Sequence, residues 1–224
     1  MKEFLKRILG WNKKSSLSQS LLRYKINHLR AALTCLLPIP LWRVLQNSGS
    51  DKQKRDGHSY GHTYGKYFWR FKYRPTKLLE IGIGGVAGDI GGQSLVAWRA
   101  FFPFGTIVAC DIVPKYFLST RKTRIYQTDQ SSSEDLALLR DREGPFDIII
   151  DDGSHLSAHQ IFTFHEMFHS LKDGGIYIIE DVQTSFWSID LAGTVWDGAH
   201  MCEIFGLLLS RIHPMLRRVS FSRT

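Results

Sequence analysis

The stretch KLLEIGIGG, residues 77–85, decides the fold, because a mostly apolar run passes directly into a glycine-rich turn. Such a run is typical of a β-strand that is buried on both faces of a sheet. Similar apolar runs recur at 106–111, 147–151 and 176–180, and RIYQTDQ at 124–130 is a shorter candidate strand. Helical patterns separate these strands, and the alternation predicts an α/β fold with a doubly wound, Rossmann-like, mostly parallel sheet.

Three helices are predicted between the strands, over residues 93–102, 132–142 and 157–175. The third helix is expected to stop at its paired glycines, which are common at helix C-termini. In doubly wound sheets, ligands bind at the carboxyl ends of the strands. Polar side chains stand at that end of every candidate strand: Glu80, Asp111, Asp129, Gln130, Asp151, Asp152, His155, Glu180 and Asp181. The sequence therefore predicts one functional edge of the sheet.

The turn after the first strand, residues 82–87, fits the pattern G-x-G-x-x-G/A, which lets a backbone approach a bound cofactor. Enzymes that use nicotinamide, flavin or S-adenosylmethionine share this pattern. Glu80 stands two residues before the first glycine, where a dinucleotide site is normally apolar, and Asp111 ends the next strand, where a carboxylate can bind both ribose hydroxyls. An acid beside the turn suits a cationic cofactor without a pyrophosphate and favours S-adenosylmethionine. A purely structural glycine turn is the alternative.

Three carboxylates follow the last two strands, Asp152 after one and Glu180 with Asp181 after the other. If these strands are neighbours, the like charges converge and repel, and a hard divalent cation removes that cost. An all-oxygen set favours Mg²⁺ (or Mn²⁺) over zinc. The alternative is that the acids cap helices or pair with basic side chains. His155 lies in the same loop as Asp152 and is a candidate proton acceptor for a hydroxyl group, or a structural histidine.

These segments together resemble the class I S-adenosylmethionine-dependent methyltransferases over about residues 50–190. The pair IDDGSH and IEDVQTS is specific, and it is similar to the Mg-dependent macrolide-sugar (mycinamicin-type) O-methyltransferases and the related cephalosporin-hydroxylase-type family. The upstream segment SDKQKRDGHSYGHTYGKYF is similar to the entry segment of that family, DK…H-x-Y. The glycine turn by itself would not distinguish these enzymes from other Rossmann-like proteins.

The resemblance implies a role for each matching residue. S-adenosylmethionine would contact Glu80, Gly82, Gly84, Asp111, Asp129 and Gln130. Within this set, Asp111 would hold the ribose, and Asp129 with Gln130 would lie beside the adenine. Tyr60 and Tyr64 are looser candidates for the methionine end of the cofactor. Magnesium would lie on Asp152, Glu180 and Asp181, and His155 would be the general base.

The predicted activity is methyl transfer from S-adenosylmethionine to a hydroxyl of a sugar, a glycosylated natural product or a polysaccharide, so the partner is a small-molecule or glycan acceptor. Two other functions are open: a cofactor-binding protein without methyl transfer, and a nicotinamide-dependent oxidoreductase. The spacings of His155 with His159 and of His165 with His169 allow zinc pairs on a helix. Without an HExxH motif they favour ordinary surface or core histidines.

Basic residues are concentrated in the first third of the chain, where residues 1–75 hold 16 Lys and Arg against 3 Asp and Glu. We expect a basic, partly helical N-terminal leader over residues 1–50 and a methyltransferase domain over 51–224. The leader could contact an anionic membrane or a polyanion, or be a solvated arm. The aromatic and basic segment 58–75 could stack nucleic acid, but without a nucleic-acid-binding fold, packing against the sheet is favoured.

Three widely spaced cysteines form neither a disulfide framework nor a CxxC motif, so a reducing, cytoplasmic location is expected. The end of the chain predicts a helix over 196–214 and one short strand after it. The resembled fold ends with two further strands, so we expect an incomplete sheet edge. Such an edge is either compensated by self-association or reflects a truncated reading frame. An unpaired edge favours pairing with a second chain, which predicts a homodimer.

Overall fold

The computed structural model describes residues 16–34, 36–53, 59–85 and 90–182. The elements, in chain order, are Ser16–Thr34 (α1), Leu41–Ser48 (α2), Tyr60–Phe68 (α3), Lys77–Ile81 (β1), Gln93–Phe101 (α4), Thr106–Asp111 (β2), Thr123–Gln127 (β3), Ser133–Glu143 (α5), Phe146–Asp151 (β4), Ser157–Met167 (α6) and Leu171–Ile179 (β5). Single 3₁₀ turns follow α3 and α6, and another precedes β3.

The five strands form one sheet in the order β3-β2-β1-β4-β5. Strand β4 pairs in parallel with β1 on one side and with β5 on the other. The central strands are apolar because both faces are covered, and Leu78, Leu79 and Ile149 have no exposed surface. The predicted doubly wound, mostly parallel sheet is confirmed. The predicted helix at 196–214 and the final short strand lie outside the described residues.

The predicted helix over 157–175 is wrong in its second half. Helix α6 ends at Met167, a 3₁₀ turn follows, and β5 begins at Leu171, five residues before the predicted strand start. Gly174 has a φ of 71°, and the pairing of β5 with β4 shifts register across this region. A Cβ on Gly175 would lie 2.9 Å from the Asp147 carbonyl oxygen. The two glycines therefore allow an irregular strand to approach β4 and do not cap a helix.

The described residues divide into two compact units. The first contains the described residues up to Thr76 together with Ile83–Ala109 and Phe117–Arg124. The second contains Lys77–Gly82, Cys110–Tyr116 and the described residues from Ile125 onward. The sequence-based division into a leader of residues 1–50 and a domain of 51–224 stays a prediction.

In the first unit, helices α1 and α2 pack against α4 and against each other. Tyr24 and Leu45 are buried, and the Asn27 side chain donates a hydrogen bond to the Ser48 carbonyl at 2.9 Å. The described part of the basic leader is therefore packed into this unit and is not a free arm. Within the described ranges, no helix combines the length and apolarity that crossing a membrane requires.

Aromatic side chains form much of the core of the first unit. The ring of Phe68 lies 5.1 Å from Tyr64, 5.9 Å from Trp98 and 6.0 Å from Phe102, measured between centroids. Phe68, Trp98 and Phe102 have no exposed surface. The segment in which aromatic and basic residues interleave therefore supplies core packing through α3. Among the described residues, its rings pack against helix α4 and Phe102 and not, as the favoured interpretation of 58–75 expected, against the edge of the sheet.

Phe68 and its neighbour Tyr67 offer a matched test of this core, because Phe68 is fully buried and Tyr67 is 53% exposed. We expect Phe68→Ala to lower the free energy of unfolding by ~3–5 kcal/mol through lost burial and a cavity. Tyr67→Ala is expected to change it by about 0.5 kcal/mol or less. Denaturant unfolding of the two variants measures both values, and equal losses would contradict the assigned core.

Candidate functional site

Three side chains converge beyond the carboxyl ends of β4 and β5. Asp152 and His155 lie in the loop after β4, and Asp181 follows β5. Their candidate ligand atoms all lie within 4.8 Å of one another. The His155 Nε2 atom is 3.9 Å from Asp152 Oδ1 and 3.8 Å from Asp181 Oδ2. The parallel pairing of β4 with β5 produces this convergence, because both strands end at the same edge of the sheet.

Two members of this cluster have a backbone conformation that is uncommon for non-glycine residues. His155 has a φ of 59° and Asp181 a φ of 53°, and these are the two non-glycine residues with positive φ among the described residues. A left-handed conformation costs a non-glycine residue ~1–3 kcal/mol and is found preferentially at functional sites. Here the strained backbone turns both side chains toward one point.

The donor set fits a divalent cation. Two carboxylates held this close repel each other, and a cation between them removes that repulsion. Carboxylate oxygens suit Mg²⁺ or Mn²⁺, and all three side chains are half-buried, so an ion could reach them from solvent. Glu180, the third predicted ligand, is buried and is not part of this group of three. Its role as a ligand stays a prediction.

Gly82, at the end of β1, lies directly against the loop that carries Asp152. Gly82 has a φ of 79°, and its N–H donates to the Cys110 carbonyl at 2.9 Å. A Cβ at this position would overlap the Asp152 carbonyl oxygen and would lie 2.7 Å from the Gly153 Cα atom. The glycine therefore permits both a left-handed turn and close contact with residues 152–156, the loop after β4 that carries Asp152 and His155 and is called the cation loop below.

We expect Gly82→Ala to destabilise the chain more than Gly84→Ala. Both residues have positive φ, which costs alanine ~1–2 kcal/mol. Only at position 82 does a Cβ also meet backbone, and the overlap adds ~1–3 kcal/mol, while a Cβ on Gly84 has nothing within 4 Å. Thermal and denaturant unfolding without ligand measure the difference. Equal stability of the two variants would contradict the close approach of the two loops.

Two predicted cofactor residues lie at the ends of β1 and β2. Glu80 has no exposed surface and is paired in register with Ile150. Asp111 accepts hydrogen bonds from the Val113 N–H at 2.9 Å and from the Lys115 ammonium at 2.8 Å. Lys115 was not among the predicted site residues, and only its i, i+4 spacing from Asp111 could have indicated the pair. The cofactor roles of Glu80 and Asp111 stay predictions.

Asp129 and Gln130 follow β3 and make different contacts. Asp129 Oδ1 accepts hydrogen bonds from the hydroxyl and the N–H of Ser131 at 2.6 and 2.8 Å, and these bonds lower the pKa of Asp129. The Gln130 amide contacts the loop after β4, and its Oε1 accepts from the Ser154 N–H at 2.6 Å. The predicted position of both residues beside adenine stays a prediction.

The remaining predicted cofactor residues, Gly84, Tyr60 and Tyr64, belong to the first unit. Tyr60 and Tyr64 stack on the same helix with ring centroids 5.8 Å apart, and Tyr64 is buried. Gly84 lies in the turn after β1 with a φ of 63°. Their contacts with a cofactor stay predictions.

Asp151 belongs to the predicted polar cluster at the end of β4, but the sequence analysis gave it no role. It is the last residue of β4, is fully buried, and is paired with Ile81 and Ile179 on the neighbouring strands. Burial raises the pKa of Asp151 to about 7, and the nearby charge of Asp152 also raises it. In the run IIIDD, sequence alternation did not reveal which aspartate faces inward.

A parallel sheet in the order β3-β2-β1-β4-β5, with a glycine turn after β1 and acidic residues at the strand ends, defines the class I methyltransferase fold. No family model matches the chain. Curated relatives include an 8-demethyl-8-(2-methoxy-alpha-L-rhamnosyl)-tetracenomycin-C 3'-O-methyltransferase from Streptomyces olivaceus, 38% identical over 150 residues. They also include the mycinamicin VI 2''-O-methyltransferase of Micromonospora griseorubida, 40% identical over 131 residues. The predicted resemblance to sugar O-methyltransferases is confirmed.

Solved structures of a mycinamycin-pathway methyltransferase also match this chain. A crystal form of MycE methyltransferase from the mycinamycin biosynthetic pathway, in complex with Mg and SAH, matches with a TM-score of 0.71 and 33% identity. That match covers 83% of this chain and 48% of MycE. The alignment with the tetracenomycin-C 3'-O-methyltransferase covers 66% of this chain and 38% of that relative. The alignment with the mycinamicin VI 2''-O-methyltransferase covers 58% of this chain and 33% of that relative. The chain thus spans about a third to a half of the relatives that it matches.

Proposed function

We propose that this chain transfers a methyl group from S-adenosylmethionine to a hydroxyl of a sugar or glycosylated small molecule. In this proposal Asp152 and Asp181, with Glu180, hold Mg²⁺, and His155 is the general base. The observation that carries the proposal is the convergence of Asp152, His155 and Asp181 at one point. Structures of the relative MycE contain Mg and SAH, and one also contains mycinamycin VI. SAH is the form that S-adenosylmethionine leaves after giving up its methyl group.

The reaction needs a stronger nucleophile than a neutral hydroxyl. The acceptor oxygen forms a bond to the methyl carbon, the sulfonium–carbon bond breaks, and the hydroxyl proton must leave. His155 would accept this proton at Nε2, the nitrogen that lies between the two carboxylates. Magnesium, when bound, would lower the pKa of the acceptor hydroxyl and neutralise the carboxylates.

The role of His155 has an alternative, because its Nε2 is close enough to both carboxylates to be a ligand of the same ion. Oxygen donors suit Mg²⁺ better than imidazole does, and this preference favours the base. A ligand and a base differ in one measurable respect. Removing a ligand weakens metal binding, whereas removing a base slows the reaction and leaves metal binding unchanged.

We expect His155→Ala to lower the rate of methyl transfer by about 10²–10⁴-fold while the affinities for Mg²⁺ and S-adenosylmethionine stay within about 3-fold of wild type. The assay follows labelled methyl transfer to rhamnosyl and other deoxysugar-bearing acceptors, and calorimetry gives both affinities. His165→Ala is the matched control, because His165 is an exposed histidine of α6. Full activity of His155→Ala would refute the base, and loss of Mg²⁺ binding would make His155 a ligand.

The same calorimetry and methyl-transfer assay distinguish this proposal from the two alternative functions, a cofactor-binding protein and a nicotinamide-dependent oxidoreductase. Binding of S-adenosylmethionine without methyl transfer to any acceptor would favour a cofactor-binding protein. Binding of a nicotinamide cofactor in place of S-adenosylmethionine would favour an oxidoreductase. The cytoplasmic location and self-association stay predictions. Contact of the leader with an anionic membrane also stays a prediction, and it is supported by the exposed Ile26 and Leu29 beside the exposed Arg23 and Lys25 on α1.

A further inference from the structure

Two buried glutamines contact the loops that carry the cation cluster. Gln130 follows β3 and is 8% exposed, and Gln160 belongs to the second turn of α6 and is 5% exposed. A buried amide is unfavourable unless its donors and acceptors are bonded. The hydrogen bonds of these two side chains therefore indicate what each one holds in place.

The Gln130 amide connects three segments behind Asp152. Its Oε1 accepts from the Ser154 N–H at 2.6 Å, and its Nε2 donates to Asp151 Oδ1 at 3.3 Å and to Thr163 Oγ1 at 3.1 Å. A Cβ on Gly153 would lie 2.7 Å from the Gln130 Cδ atom, so glycine lets the loop backbone lie against the amide. The amide thus ties the end of β4 and its exit loop to helix α6.

These bonds bear on the predicted contact between Gln130 and adenine. A glutamine amide has two N–H donors, and both are used within the protein, one by Asp151 and the other by Thr163. The side chain has no N–H left to donate to a base. Both N–H donors of the amide therefore hold the end of β4 and helix α6.

Gln160 holds the second loop. Its Nε2 donates to the Glu180 carbonyl oxygen at 3.0 Å, directly before Asp181. The Glu180 N–H donates in turn to the Asp151 carbonyl at 2.9 Å. The backbone that precedes Asp181 is thereby fixed from both sides, by α6 and by the end of β4.

We propose that Gln130 and Gln160 are positioning residues that hold the two loops of the cation site together. Asp152 and Asp181 must be held close although their charges repel, and His155 and Asp181 must keep left-handed backbones. The two amides counteract the charge repulsion and stabilise the left-handed backbones, because each anchors one loop to helix α6 through directional hydrogen bonds. This proposal rests on the proposed function, since it takes the cluster to be a Mg²⁺ site.

The test compares near-isosteric variants of the full chain by Mg²⁺ titration calorimetry. Gln160→Met removes the donor to the Glu180 carbonyl, and Thr163→Val removes the hydroxyl that bonds Gln130, while neither substitution removes a proposed ligand side chain. We expect each to weaken Mg²⁺ binding by about 10–100-fold, the usual effect of losing a residue that orients metal ligands. The affinity for S-adenosylmethionine should stay within about 3-fold of wild type.

Thr163→Ser provides the rescue control, because it keeps the hydroxyl at a fully buried position and should restore Mg²⁺ binding toward wild type. If the residues had a purely structural role, the substitutions would weaken the binding of Mg²⁺ and of S-adenosylmethionine equally, or in proportion to the loss of stability. Circular dichroism with thermal unfolding monitors folding. Unchanged Mg²⁺ affinity in both Gln160→Met and Thr163→Val would overturn the positioning role and leave the proposed function standing. If wild-type chain binds no Mg²⁺, the proposed function fails, and the positioning role fails with it.

Discussion

The parallel pairing of β4 with β5 places two carboxylates and one imidazole at the same edge of the sheet, and much of the second unit follows from the need to keep them there. Asp152, His155 and Asp181 come within 4.8 Å of one another although the two acids repel. Two features of the structure keep these side chains together. His155 and Asp181 adopt left-handed backbones, and the buried side chains of Gln130 and Gln160 hold the loops through hydrogen bonds. Such an arrangement is understandable if a cation occupies it during function, because the cation converts repulsion into attraction.

The cation loop and Gly82, at the end of β1, are parts of one local structure. Gly82 lies so close to the Asp152 carbonyl that a side chain would displace it, so the turn expected to meet the cofactor also sets the position of a proposed metal ligand. For a methyl transfer this coupling is useful. The proposed reaction requires the methyl donor and the hydroxyl acceptor to be held in line and a few ångströms apart, and the contact of Gly82 with the Asp152 backbone would help to fix a proposed metal ligand for that purpose.

Much of the fold could be predicted from the sequence because strands buried on both faces are mostly apolar, as in 77–81 and 146–151. The end of α6 could not, since glycines that permit an irregular strand have the same appearance as glycines that cap a helix. The site was predictable at the level of strand ends, because a parallel sheet collects those residues at one edge. Which side-chain atoms come together depends on the φ angles of His155 and Asp181, and the sequence does not show that these two residues adopt a left-handed backbone. The internal bonding of the Gln130 amide depends on contacts between distant segments, which no local pattern encodes.

The central claim is that Asp152 and Asp181 form one divalent cation site, and Mn²⁺ tests it directly because its bound and free forms differ in electron paramagnetic resonance. Titration of the wild-type chain should show one bound Mn²⁺ per chain, displaced by Mg²⁺. The double variant Asp152→Asn/Asp181→Asn should show none, while Asp141→Asn/Asp173→Asn, which removes the same charge from exposed positions, should bind like wild type. Equal Mn²⁺ binding by wild type and the Asp152→Asn/Asp181→Asn variant, or no binding by wild type, would contradict the account.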